Sequence, residues 1–368
     1  MELYVYDIEF NRLGIVDMFD CVLIENNYKK EDTLELQISG ADKEIYNLLS
    51  DGNVLYRDIS VEKPVPFIIE SSEINEVTET KEGMFTFTVS ASSAEKILER
   101  RITGYKEGYS GTSSEVLKKY INSNVISPED SKRKIKEIEL VMLSDTTDKI
   151  DMVEDNKNLF DVVKDILDNS ELGIRSYTDF EQKKFIIEIY EGKDRTSGNG
   201  SNTEAIFSAE FENIQNEIYR YDSSEMKNHV LVSGGNDENR KTVIVFENTE
   251  PEGIERREMY ISSGISDKDS DNQEIPEAEY LNLLKTKGKE TLSDSKADVE
   301  YNCDLIDNEG LKFRRDYDIG DKVSIFNRNL GIDVSERMIS IEESFDSDGF
   351  SMNAKIGTNN VSILKKLL

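Results

Sequence analysis

The stretch that decides the fold runs from Gly320 to Gly357. It reads Gly320-Asp321-Lys322-Val323-Ser324-Ile325-Phe326, then Arg337-Met338-Ile339-Ser340-Ile341-Glu342-Glu343-Ser344-Phe345, then Asp348-Gly349-Phe350-Ser351-Met352-Asn353-Ala354-Lys355-Ile356-Gly357. Val323 and Ile325 alternate with polar neighbours. Met338 and Ile339 open a second run, in which Ile341 alternates with Ser340 and Glu342. Phe350, Met352, Ala354 and Ile356 alternate with Ser351, Asn353 and Lys355. A period of two marks half-buried strands with one wet face. Asp348-Gly349 is a tight-turn signal between the second and third strands.

The pattern occurs once more near the start of the chain. Gly52-Asn53-Val54-Leu55-Tyr56 matches Gly320 to Ser324, Phe67 to Ile74 matches Arg337 to Ser344, and Gly83 to Val89 matches Gly349 to Ile356. Glycine starts the first strand and the last turn in both copies. Self-similarity of this kind predicts an α+β, mostly β chain with two similar small β-barrel domains. The competing reading is that any two antiparallel meanders look alike at this level.

With 368 residues the chain has room for two or three domains of ~100–200 residues each. Its apolar share of 37%, rich in Tyr and Phe, suffices for a core. The net charge of −31, from 76 acids against 45 bases, repels phosphates and argues against ordinary nucleic-acid binding. The opening Met1-Glu2-Leu3-Tyr4-Val5-Tyr6 reads as a strand, without the basic and apolar regions of a signal peptide. No run of about 18 apolar residues marks a membrane span. Cys21 and Cys303 sit in strand-like apolar contexts and are expected to be buried thiols rather than a disulfide.

In order, residues 1–102 read as the first barrel domain. It contains a short helix from Ala41 to Leu49, and a capping box at Ser92-Ser93-Ala94-Glu95 opening a helix to Ile102. Residues 103–205 read as an inserted α/β domain. Its signals are a second capping box, Thr112-Ser113-Ser114-Glu115, an Asn158-capped helix with Leu159, Val162, Val163, Ile166 and Leu167 inward, and a hairpin around Asp179. Gly192 to Glu204 is the most flexible-looking segment. Residues 206–265 with 299–357 read as the second barrel domain. An acidic loop and a helix opened by Pro276 interrupt it at 266–298. Residues 358–368 form a tail, either a docked short helix or a frayed end.

Few placed groups suggest chemistry. His229, the single histidine, precedes Val230-Leu231-Val232 and reads as a strand or core residue without a legible acid–base partner. No strained nucleophile elbow is present. One His and two separated Cys cannot supply a zinc ligand set. Asp267-Lys268-Asp269-Ser270-Asp271-Asn272 resembles the start of a calcium loop but lacks the later glycine and glutamate, so a solvated loop is the better reading. Gly234-Gly235 before Arg240-Lys241-Thr242 has the wrong spacing for a phosphate-binding loop. With 76 acids, some carboxylate pair will match a glycosidase separation by chance. No catalytic, cofactor-binding or metal-binding residue is assigned and no enzymatic activity is expected. By elimination the chain reads as an assembly component.

Several segments carry a family resemblance. They are Met1 to Asp7 with Phe10-Asn11-Arg12-Leu13-Gly14-Ile15, Leu98 to Ile102, Tyr190 to Thr196, Phe207 to Asn213, Lys227 to Gly234, Arg256 to Tyr260 and Asp316 to Val323. In this order and spacing the chain resembles the tail-hub, or baseplate-hub, proteins of long-tailed bacteriophages of Gram-positive hosts. It resembles in particular a siphovirus tail-protein family, and it also looks like hubs of contractile tails and phage-tail-like bacteriocins. The resemblance implies a homotrimer at the tip of the tail tube, in a virion or tailocin particle made in the bacterial host cytoplasm. Each subunit would give two barrels, so three would present a pseudo-hexameric ring to a hexameric tube. The implied partners are the tail tube protein, distal tail or baseplate proteins, a central spike or fibre, and the tape measure protein. No cofactor and no specific nucleic-acid binding are implied, and a negative channel wall would let DNA slide. Many siphophage relatives continue into a hydrolase or fibre-like extension. An end at Leu368 is expected of a contractile tail or bacteriocin with a separate spike, or of a minimal siphophage hub. The competing functions are a tail-associated peptidoglycan hydrolase and a receptor-binding adhesin.

Overall fold

A computed structural model describes residues 1–77, 84–235, 241–266, 274–306, 310–329 and 331–357. The acidic run Asp267 to Asn272 and the tail from 358 lie outside the described residues. The N-terminal module carries β1 (Leu3–Tyr6), β2 (Arg12–Val16), β3 (Cys21–Asn27), β4 (Thr33–Ser39), α1 (Lys43–Leu48), β5 (Val54–Tyr56), β6 (Phe67–Val77) and β7 (Met84–Ser93). Clean alternation makes these strands: Leu34, Leu36 and Ile38 of β4, like Phe87, Val89 and Ala91 of β7, all fall on the buried face. The insertion follows with β8 (Glu107–Thr112), α2 (Ser113–Ile121), β9 (Ile138–Met142), β10 (Lys149–Glu154), α3 (Leu159–Asp168), β11 (Gly173–Asp179) and β12 (Lys184–Tyr190). Then come β13 (Ile206–Phe207), β14 (Ile214–Asp222), β15 (His229–Gly234), β16 (Lys241–Phe246), β17 (Glu258–Ser262), α4 (Glu277–Asp294), β18 (Asp298–Leu305), β19 (Lys322–Asn327), β20 (Ile332–Asp346) and β21 (Gly349–Gly357).

Among the described residues thirteen strands make one sheet. Its order is β14-β18-β21-β20-β3-β4-β7-β6-β5-β1-β2, with β19 joined to β20 and β13 to β19. From β14 the run is β18, β21, β20, β19, β13. From β3 it is β4, β7, β6, β5, β1. The same order thus occurs twice, and the two runs join where β20 pairs with β3.

The duplication extends to single hydrogen bonds. Gly52 N–H donates to Ile69 O at 2.9 Å, and Ile69 N–H to Asn53 O at 2.8 Å. Gly320 N–H donates to Met338 O, and Met338 N–H to Asp321 O, both at 2.8 Å. The two glycines hold φ of 82° and 87°, where a side chain is strained. Each central strand then bulges, between Ile69 and Ser71 in β6 and between Met338 and Ser340 in β20. The repeat register read from the sequence is therefore one residue off. Ile69 corresponds to Met338 rather than Ile339, and Met84 to Gly349. A bulged residue breaks the period of two, and the pairs Ile68-Ile69 and Met338-Ile339 look alike in sequence.

Other expectations are met or corrected locally. Thr112 and Glu115 form a reciprocal cap for α2, and Asn158 caps α3. The expected box at Ser92-Ser93-Ala94-Glu95 does not form. Residues Ala94–Arg100 make a 3-10 helix, and the Ser93 hydroxyl donates to Glu95 Oε1 at 2.6 Å while accepting from Asp32 N–H at 2.8 Å. Gly192 to Glu204, loop-like in composition, is held to the second module. Arg195 pairs with Asp321 at 2.6 Å, and a side chain at Gly192 would lie 1.9 Å from Gly320 O. Cys303 is buried, but Cys21 is only partly so; both are free thiols.

The chain divides into two compact units, Met1–Ile218 with the stretch that resumes at Tyr301, and Tyr219–Glu300. In the second unit β15 runs antiparallel to β16 and parallel to β17. Helix α4 covers this sheet through Tyr280, Leu284 and Leu292 against Val230, Val232 and Val245. Residues 229–262, given to the second barrel from the sequence, therefore belong with α4. Leu283 of the same helix is exposed. His229 is a core residue, its Nε2 3.2 Å from Glu250.

Two predictions follow from the first unit. Gly52→Ala should cost about 1–2 kcal/mol, since it meets only backbone strain, with no atom within 4 Å. Gly320→Ala should cost roughly 1–3 kcal/mol more, because its new methyl would lie 2.2 Å from the Tyr28 ring; urea unfolding of the two variants gives the difference. Asp32 and Glu95 form a buried carboxyl pair, and burial first, with the neighbouring acid adding at Asp32, raises both above the ordinary carboxylate range. Unfolded, they ionise near pH ~4. Above that pH the folded chain binds more protons than the unfolded one, so the pair removes stability as pH rises. Glu95→Gln should flatten the fall in unfolding free energy between acidic and neutral pH. An unchanged slope would clear the pair of responsibility.

Candidate assembly surface

The two faces of the large sheet differ. On the face opposite the core, β4 shows Thr33, Glu35 and Gln37, and β7 shows Thr86, Thr88 and Ser90. In the second module β20 shows Ser340, Glu342 and Ser344, and β21 shows Ser351 and Asn353. Hydroxyls, amides and carboxylates thus recur on the same face of both modules, which join where β20 pairs with β3; β3 itself places Cys21 and Leu23 beside Glu25 on that face. Asp304 of β18 accepts from Asn216 at 2.6 Å and from Asn353 at 3.0 Å. Glu342 stands opposite Glu25 at the seam, and burial, then the Glu25 carboxylate, holds it above its ordinary range.

On the buried face the seam is ionic. Glu343 pairs across to Ile24 of β3 and is 2% exposed. The Arg57 guanidinium donates to its carboxylate and lies 4.8 Å over the Phe345 ring. The Asn26 amide donates to Glu343 Oε1 and to Ile341 O, both at 3.1 Å, and its oxygen accepts from Arg314 at 2.8 Å. Each of the two carboxylate oxygens thus has a donor from the chain, as a buried carboxylate requires.

Among the described residues several strands keep an unpaired edge: β2, at one end of the sheet, pairs only with β1, and two further edges, of β6 and β14, fall at equivalent points of the doubled order. β6 pairs with β5 only at Phe67 and Ile68, so its edge from Ser71 to Val77 on that side meets nothing. The equivalent edge of β20, Ser340 to Phe345, is occupied by β3. At the other end β14 is the last strand of the sheet.

The comparisons match this architecture. Residues 2–358 fit the family described as Siphovirus ReqiPepy6 Gp37-like protein. The chain belongs to this family of siphovirus tail proteins. Its fold is similar to that of the tail protein from Neisseria meningitidis MC58, at 14% identity and a TM-score of 0.59, covering 98% of this chain and 97% of that one. It is also similar to prophage tail protein gp18 from Listeria monocytogenes EGD-e, at 12% identity and 0.58, with coverages of 100% and 97%. A third is the 43 kDa tail protein of prophage MuSo2 from Shewanella oneidensis, at 11% identity and 0.59, with 97% and 98% covered. At these identities the likeness is one of fold. No curated protein matches the sequence.

No site residue was assigned from the sequence, and the surface described above went unnamed there. Alternation does place Ser351 and Asn353 on a wet face. The missed signal is Glu343, a charge in the core-facing series Ile341, Glu343, Phe345, which marks a buried ion pair. Arg57→Ala strands that carboxylate. The cost should be about 2–3 kcal/mol, below the ~3–5 of a fully buried pair because Arg57 is a third exposed. Adding Glu343→Gln should recover most of it in a double-mutant cycle by urea unfolding; additive losses would deny the coupling.

Proposed function

We propose that this tail protein is the structural hub of the tail tip. It acts as a homotrimer that adapts a hexameric tail tube to a threefold spike or fibre and lines part of the channel for DNA and tape measure protein. The observation that carries the reading is the doubled strand order joined into one sheet with one polar face. Three chains of two modules each supply six similar sectors while keeping exact threefold symmetry elsewhere, which is how a trimer meets a hexamer. The polar, acid-bearing face suits a wall along which a polyanion passes without sticking, since like charge denies phosphates a foothold. In this reading the chain works by shape and catalyses nothing; distal tail or baseplate proteins are its other neighbours.

The test is the mass of the purified chain by sedimentation, followed by imaging with tail tubes. Three times 42.0 kDa, alone or once tubes are added, is expected, with a ring at the tube end. A stable monomer that stays off tubes and clears host cell walls would overturn the proposal in favour of a peptidoglycan hydrolase.

A further inference from the structure

We propose that neighbouring copies join by strand addition: the open edge of β6 from Ser71 to Val77 in one copy pairs antiparallel with β14 of the next. This rests on the trimeric reading and says where its contacts lie. Within the chain β20 continues past its bulge and takes β3 on the edge that β6 leaves free. In the doubled order β3 corresponds to β14, the first strand of each run. One chain therefore contains the join once, between β20 and β3, and carries its two unmatched halves, β6 and β14. The halves differ from each other, so the contact is head-to-tail and is satisfied for every copy only when the chain of copies closes. Uncovered strand edges invite such pairing.

The intramolecular seam also predicts the register. There Glu343 faces Ile24. The bulges make Ile74 the counterpart of Glu343. Gln37 pairs with Thr88 and Cys21 in the first module, and Asp304 bonds Asn353 and Asn216 in the second. That equates Cys21 with Asn216, and hence Ile24 with Tyr219. Ile74 of one copy thus meets Tyr219 of the next, with Ser72 against Tyr221. Ile74 is 54% exposed, Tyr219 39% and Tyr221 59%, an apolar set that the described residues leave open to water. Where the seam inside the chain buries the Glu343–Arg57 pair, the seam between chains buries an aliphatic–aromatic contact, so it should resist salt.

Ile74→Lys in the full chain tests the seam. Because Ile74 is exposed, its thermal unfolding as a diluted monomer should match wild type. Trimer association, read by sedimentation, should weaken by roughly a hundredfold or more, since closing the seam would strip water from an ammonium. Amide exchange in the wild-type trimer should slow at 71–77 and 214–221 relative to the diluted monomer. If the variant trimerises like wild type and the 71–77 amides exchange in the trimer as fast as in the monomer, the seam is wrong while the hub reading stands. If wild type forms no trimer even on tail tubes, both fall.

Discussion

The larger unit depends on how Tyr28 is buried. Just past β3, its N–H donates to Ile339 O at 3.0 Å and its carbonyl accepts from Ile174 N–H at 2.9 Å. Its hydroxyl donates to Glu171 O at 2.5 Å and accepts from Gly192 N–H at 3.3 Å. Arg337 lies 5.0 Å over the ring and Tyr190 meets it edge-on at 5.4 Å. One side chain thereby ties the first module, the second module and the insertion. Burial pushes its phenol up to about 12, so it remains a neutral donor. Gly173 and Gly320 give it room: a methyl on either would sit within 2.2 Å of the ring. The pairing of β20 with β3, on which the doubled sheet depends, is locked at this point.

The two modules share a backbone solution and differ in what they place on it. The left-handed glycine, the paired hydrogen bonds and the bulge recur because they set where the central strand turns from one neighbour to the next. Side chains then diverge according to cover. At one position the second module has Glu343, enclosed and paired, while the first has Ile74 facing water. Leu36 and Cys303, and Val89 and Ala354, exchange size within cores that each close on their own. Burial pushes the Cys303 thiol up to about 12, which makes it a small hydrophobe rather than a reactive group.

Local chemistry was legible wherever it depends on neighbours in sequence. The caps at Thr112 and Asn158, the hairpin around Asp179 and the alternation of β21 all formed as expected. Errors arose where a local signal competed with a distant partner. Ser93 carries a capping sequence, yet its hydroxyl serves Asp32, sixty-one positions back. Gly192 to Glu204 has the composition of a loose loop, yet Asp321 holds Arg195 and the N–H of Lys193. The strands at 229–262 have ordinary alternation, and nothing in it reveals that α4 rather than the second module covers them.

Alternation, glycine placement and turn signals by themselves established a mostly β chain with a repeated meander, since these depend on period and on backbone freedom at single residues. Tertiary structure alone decided the register of the repeat, the polar face shared by both modules and the open edges of β6 and β14. A period of two says which face a residue takes but not which edge its strand lends to a neighbour. That choice belongs to hydrogen bonds and packing between residues hundreds of positions apart.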